Sequence, residues 1–249
     1  AAHPAADVVR IGTAPGLTRR LERGIDALRE HNATFEAVLV DLPIESRLAA
    51  LRRGELHIGL ARGLVPAAPG LQVHPAWSEP LHVVVSVRHP VADRDRVAIA
   101  EMTGSVLRLP SRDTDPPLHD AVTAALDPAG AGLRIGRPTG TVQDAVIEVG
   151  SDPKSWALLP AEQVAATGST RVRSIPLDPP ITIAGSVILR DDLPEHCVTA
   201  IVDAFRDAPA ARARLLVQAG AGQGLAGDPV AVGVEAMRVA LGVVAQEEL

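Results

Sequence analysis

With 249 residues, 47% hydrophobic and 22% charged, the chain is long enough to bury a core as one large α/β domain or as two smaller lobes. A formal net charge of -6, a single lysine (Lys154) and only four aromatic residues (Phe35, Trp77, Trp156 and Phe205) argue against nucleic-acid binding by bulk charge or base stacking. The lone Cys197 excludes an internal disulfide and a cysteine metal cluster, the eight histidines show no ligand spacing, and no apolar run is long enough to span a bilayer.

Residues 1–7 read as linker, after which the β-branched run Val8 to Thr13 predicts a strand that stops at Ala14-Pro15-Gly16. Leu17, Leu21, Ile25 and Leu28 recur at helical spacing, and Phe35 to Leu42 alternates as a strand ended by Pro43. Ile44, Leu48 and Leu51 mark a second helix, and Leu56 to Ala61 a buried strand that stops at Arg62-Gly63. This β-α-β-α-β order implies a parallel sheet with right-handed crossovers.

Next come two predicted strands, Leu71 to Trp77 and Leu81 to Val87, around the turn-prone Ser78-Glu79-Pro80. The cycle then repeats. Strands are expected at Val106 to Leu109, Leu133 to Ile135 and Trp156 to Leu159, with helices at 117–126, 141–149 and from Pro160. Strands Val172 to Leu177 and Ile181 to Leu189 follow, and a last helix carries Val198, Ile201, Val202 and Phe205 on one face, with Cys197 as a small buried hydrophobe. Residues 207–227 are a Gly/Ala-rich linker, and Asp228-Pro229 opens a helix over 228–249 with an apolar stripe.

The expected architecture is thus α/β, two Rossmann-like lobes joined by two crossover strands. Residues 8–87 plus 187–206 form lobe I and 88–186 lobe II, with a ligand cleft between them.

An ordered set of short segments carries a resemblance. It comprises Val9-Arg-Ile-Gly-Thr13, Leu48-Ala-Ala-Leu-Arg-Arg-Gly-Glu-Leu-His-Ile-Gly-Leu60 with Arg62, and Glu79-Pro-Leu81 to Val87 with His89-Pro-Val91. Leu107-Arg-Leu-Pro110, Val142-Gln-Asp-Ala145 and Trp156-Ala-Leu-Leu-Pro-Ala161 complete it. Over about four-fifths of its length the chain resembles the effector-binding domain of LysR-type transcriptional regulators, which has the type 2 periplasmic-binding-protein fold. The resemblance implies a cytoplasmic, non-enzymatic sensor that needs no cofactor or metal and does not enter the membrane. Its effector would be a small molecule such as a carboxylate. The protein would form a homodimer or tetramer and reach DNA only through a winged helix-turn-helix not contained in these residues. A free-standing solute-binding protein of a transport system is the alternative on the same fold, and an enzyme has no nucleophile-elbow or carboxylate pair to support it.

The same resemblance points to cleft residues. Thr13, Ala14 and Pro15 lie where the first strand meets the first helix, although Thr13 reads equally as a helix cap. Pro43 and Ile44 stand where the family often places a hydroxyl, so Ile44 suggests a more apolar effector, with Glu45 and Ser46 capping the helix instead. Arg62 reads either as an anion anchor or as an internally paired arginine. From the second lobe come Pro110, Ser111, Thr139, Thr141 and Gln143, with Arg112 as readily solvated. The stretch 150–156 departs from the family pattern, which leaves Trp156 and the nearby wall open. The helices at 17–30 and 117–126 offer faces that are either dimer surface or core.

Overall fold

The computed structural model describes residues 7–31, 35–63, 65–66, 68–126 and 132–207. The first strand, β1 (Asp7–Thr13), pairs in parallel with β2 (Phe35–Asp41) on one side and β3 (Ile58–Arg62) on the other. Helices α1 (Thr18–His31) and α2 (Ile44–Arg52) make the crossovers, as the β-α-β-α-β pattern requires. Leu17, Leu21 and Leu28 beside α1's inner face bury against Ile11, Leu60 and Phe205, so this apolar stripe is core rather than dimer surface.

Two long strands then cross the molecule, β4 (Leu71–Ser86) and β8 (Val172–Arg190), antiparallel to each other along almost their whole length. Each was expected as two strands. Ser78-Glu79-Pro80 does not turn, because it pairs with Ala184, Ile183 and Thr182 and Glu79 is drawn inward to a buried arginine. Register shifts fall instead at Pro75/Trp77 and Leu81/His82, where the second shift accommodates the extra residues 177–180 of β8.

The second lobe repeats the scheme with β5 (Val106–Leu107), α3 (Pro116–Leu126), β6 (Arg134–Ile135), α4 (Val142–Ser151), β7 (Ser155–Pro160) and α5 (Ala161–Ala166). A short 3₁₀ turn at Ile99–Met102, not foreseen, buries Ile99 and Met102. The strand order β2-β1-β3-β8-β4-β7-β5-β6 places β8 and β4 at the centre, with one lobe on each side. α6 (Glu195–Phe205) returns to the first lobe and buries Cys197, Ile201 and Phe205.

Leu81, Val83 and Val85 pack with Leu107, Trp156 and Leu158, so the second half of β4 belongs to the second-lobe core, although residues up to 87 were expected in lobe I. Trp156, where the pattern broke, is fully buried on β7 in that core and does not line the cleft. Leu118, Val122 and Leu126 of α3 are likewise core. The helix expected at 228–249 lies outside the described residues, as do the linkers expected at 207–227 and 1–7 apart from Asp207, which bonds Arg20, and Asp7, which opens β1.

Two glycines mark where the lobes meet. Gly63 (φ +83) ends β3 against the backbone of Pro117 in the other lobe, where a Cβ would come within 2.0 Å of the Pro117 carbonyl oxygen. Gly16 (φ +79) takes the side chain of Gln163 in the same way, at 2.2 Å.

Candidate functional site

The carboxyl ends of β1, β2 and β3 face those of β5 and β7 across the gap between the lobes, the position at which open α/β sheets bind ligands. Two adjoining cavities occupy it, of about 320 Å³ and 240 Å³. They share Pro15 from the first lobe and Thr114 and Asp115 from the second.

The smaller chamber is the charged one. Ala14, Pro43, Ile44 and Arg62 line it together with Asp41 and Arg47, and the loop 114–117 closes it from the second lobe. Arg62 is 1% exposed and held by the fold: Nε donates to Glu79 Oε2 at 2.7 Å and Nη2 to Glu79 Oε1 at 3.2 Å. Its Nη1 donates to the Pro15 carbonyl at 2.6 Å and Nη2 to that of Gly16 at 3.1 Å. Of five N–H groups, these contacts leave one, on Nη1. The internally paired alternative therefore describes Arg62, because a guanidinium taken this far out of water needs its counter-charge and acceptors within the protein.

Arg47 donates to the carbonyls of Leu60 (2.5 Å) and Leu42 (2.6 Å), while its buried Nε finds no acceptor. Burial pushes this guanidinium below its usual range, opposed by the nearby charges of Asp115 and Asp41. Burial also pushes the Asp115 carboxyl up, opposed by its bond from the Leu118 amide and by the charges of Arg62 and Arg47. α2 has Pro43 as its N-cap with no side-chain cap bond, so Glu45 and Ser46 do not replace the missing hydroxyl as expected.

The larger chamber is apolar. Leu109, Leu118, Val122, Val142, Leu158 and Leu159 line it, with Pro110 beyond the end of β5 and Thr141 and Gln143 at the start of α4. Thr141 caps α4: its Oγ1 accepts from the Asp144 amide at 3.2 Å and donates to Asp144 Oδ2 at 2.9 Å. His119 Nδ1 lies 2.9 Å from the Pro110 carbonyl, and Gln163 Nε2 donates to the Pro15 carbonyl at 2.9 Å across the lobe boundary.

Of the residues singled out in the sequence, Ala14, Pro15, Pro43, Ile44, Arg62, Pro110, Thr141 and Gln143 thus line one chamber or the other. Thr13, Ser111 and Thr139 line neither. Thr13 bonds the adjoining Ala14 carbonyl, Ser111 Oγ accepts from the Asp113 amide, and Thr139 is buried behind the wall. Arg112 is exposed and paired with Asp120. Arg47, Asp115, His119 and Gln163 were missed. Arg47 carried a signal, since it sits three residues after Ile44 on the same apolar helix face, and Asp115 carried another, standing just before Pro116-Pro117 at a helix start.

The model of the LysR substrate binding domain family matches residues 2–210 of the chain. A comparison with curated proteins finds no match. Among solved structures, full-length CbnR complexed with its target DNA superposes with a TM-score of 0.66 at 19% identity, over 80% of this chain and 68% of that one. The BenM effector binding domain with its effector benzoate gives 0.65 at 19%, over 89% and 98%. The reduced OxyR regulatory domain from Pseudomonas aeruginosa gives 0.63 at 14%, over 81% and 98%. At these identities the likeness establishes a shared fold.

Proposed function

The chain belongs to the LysR substrate binding domain family, and from that premise we propose that it senses a small metabolite in the cleft between its lobes and passes the resulting change in lobe position to a DNA-binding partner domain. One observation carries this reading: a two-chambered cleft at the strand ends whose walls come from both lobes and meet at Pro15 and Asp115. A ligand touching both walls stabilises the closed arrangement by its differential affinity for it, and the two crossing strands β4 and β8 are the natural hinge.

On this reading Ala14, Pro15, Pro43, Ile44, Pro110, Thr141 and Gln143 contact the effector, and Arg62 shapes the floor rather than holding an anion. The benzoate of the BenM domain keeps a small aromatic acid among the candidates. The guanidinium on which the carboxylate expectation rested is, however, occupied by Glu79 and two carbonyls. The boundary between lobes runs through the middle of β4 and β8, with the remaining limits as the sequence suggests. The domain works without catalysis: Ser155 is buried with its Oγ donating to the Asp152 carbonyl, and Ser111 faces no base. It acts as a homo-oligomer in the cytoplasm, where its DNA is. A solute-binding protein of a transport system has the same fold, but the family match favours the regulator.

A thermal-shift screen against a broad metabolite panel, followed by small-angle scattering with each hit, tests this. At least one compound raises the melting temperature and compacts the protein; no shift from any compound overturns the reading.

A further inference from the structure

Outside β4 and β8, a side chain that ties the two lobes together is only half satisfied by the contact it makes. Gln163, on α5 of the second lobe, donates from Nε2 to the Pro15 carbonyl of the first lobe at 2.9 Å. It packs so closely on Gly16 that a Cβ there would fall 2.2 Å from Gln163 Cγ and 3.2 Å from Nε2. The residue is 5% exposed, and its Oε1 is buried without a partner. Turning the amide over brings no relief, because the Pro15 carbonyl can only accept.

Two effects of opposite sign therefore meet at this contact. The hydrogen bond favours the lobes as they stand. The stranded oxygen favours their separation, because the Pro15-Gly16 turn of the other lobe covers this amide, and moving it away gives the whole amide to water. The second effect is the larger: a hydrogen bond exchanged with water contributes little on balance, whereas a buried acceptor left unpaired costs its full desolvation. Separation strands nothing in return. The Pro15 carbonyl also accepts from Arg62 Nη1 at 2.6 Å, and that pair stays together, since both residues belong to the first lobe and Glu79 holds the guanidinium. An apolar side chain of similar length in place of Gln163 would close the boundary more firmly.

We propose that Gln163 is a conformational device, a half-satisfied polar residue at the lobe boundary that keeps the closed arrangement from locking and leaves the balance for an effector to tip. This rests on the sensing reading above and names how that site is regulated.

Double electron–electron resonance between nitroxides at Arg19→Cys, in the first turn of α1, and Asp113→Cys, beside Thr114, reads the width of the cleft. Both positions are exposed, while Cys197 is 1% exposed and takes no label. Diluting labelled into unlabelled protein keeps the measured distances within one chain. Gln163→Met, which fills the same space without a polar end, raises the ratio of short to long distances by about fivefold. Gln163→Leu shifts it the same way, and both variants melt higher than the parent. An unchanged or lower ratio overturns the inference, and so does loss of the fold in both variants, judged by circular dichroism. Hits in the metabolite panel beside an unchanged ratio leave the sensing reading standing alone. A raised ratio without any hit overturns that reading and upholds the poised boundary.

Discussion

The two chambers of the cleft share three residues, yet they treat charge in opposite ways. The smaller one has two arginines and two aspartates in its walls, but Arg62 and Arg47 are held by Glu79 and by the carbonyls of Pro15, Gly16, Leu60 and Leu42. The larger one has no arginine or lysine in its lining. An arginine at a strand end is therefore not by itself an offer to a ligand. Removing a guanidinium from water is so costly that the fold tends to satisfy it internally.

Breaking the charged chamber gives the largest expected effect. Glu79→Ala strands Arg62 without its counter-charge and lowers unfolding free energy by about 3–5 kcal/mol, read as a fall in the urea midpoint; an unchanged midpoint would show that the pair does not support the lobe boundary. In the apolar chamber, Leu158→Ala removes a fully buried side chain and costs about 2–5 kcal/mol. The same urea titration measures it, and a cost near zero would mean that the wall collapses to fill the space.

At the mouth of the larger chamber, Thr141→Ala deletes the α4 cap and costs about 1 kcal/mol, visible as a smaller drop in melting temperature. Asp115, which both chambers share, contributes a slope rather than a step. Its folded-state carboxyl titrates above its ordinary value because burial disfavours the charge, so the native state holds that proton longer than the unfolded chain. Stability linked to Asp115 is present at low pH and is lost as pH rises from the ordinary carboxylate value through the raised one. Asp115→Asn removes this loss, so the variant gains on the parent over that interval in pH-dependent melting; a parallel pair of curves would contradict the assigned direction.

Much of the fold was legible in local pattern. The stripe Leu17, Leu21 and Leu28, the β-branched run of β1, the buried run of β3, and the alternating helices and strands of the second lobe all appear where local pattern places them. The crossing strands were misread at Ser78-Glu79-Pro80 and at residues 178–180, because local turn preference lost to pairing with a long neighbour and to the demand of Arg62 for an acid. The cleft was half legible. Residues next to a strand end or a helix start, such as Pro15, Pro110 and Thr141, were found from their position in a motif. Gln163 carried no such mark, since nothing around it in the chain reveals that it crosses the lobe boundary to Pro15 and packs on Gly16.

What the sequence determined by itself is the order and type of the elements, the two-lobed class and the family, because these follow from periodic burial and short ordered motifs. Tertiary structure decided which charges are paired internally and which residues meet across the lobe boundary. Glu79 lies 17 residues from Arg62, and Gln163 lies 148 from Pro15. Whether a polar group is satisfied depends on neighbours brought together in space, and no local pattern encodes that distance.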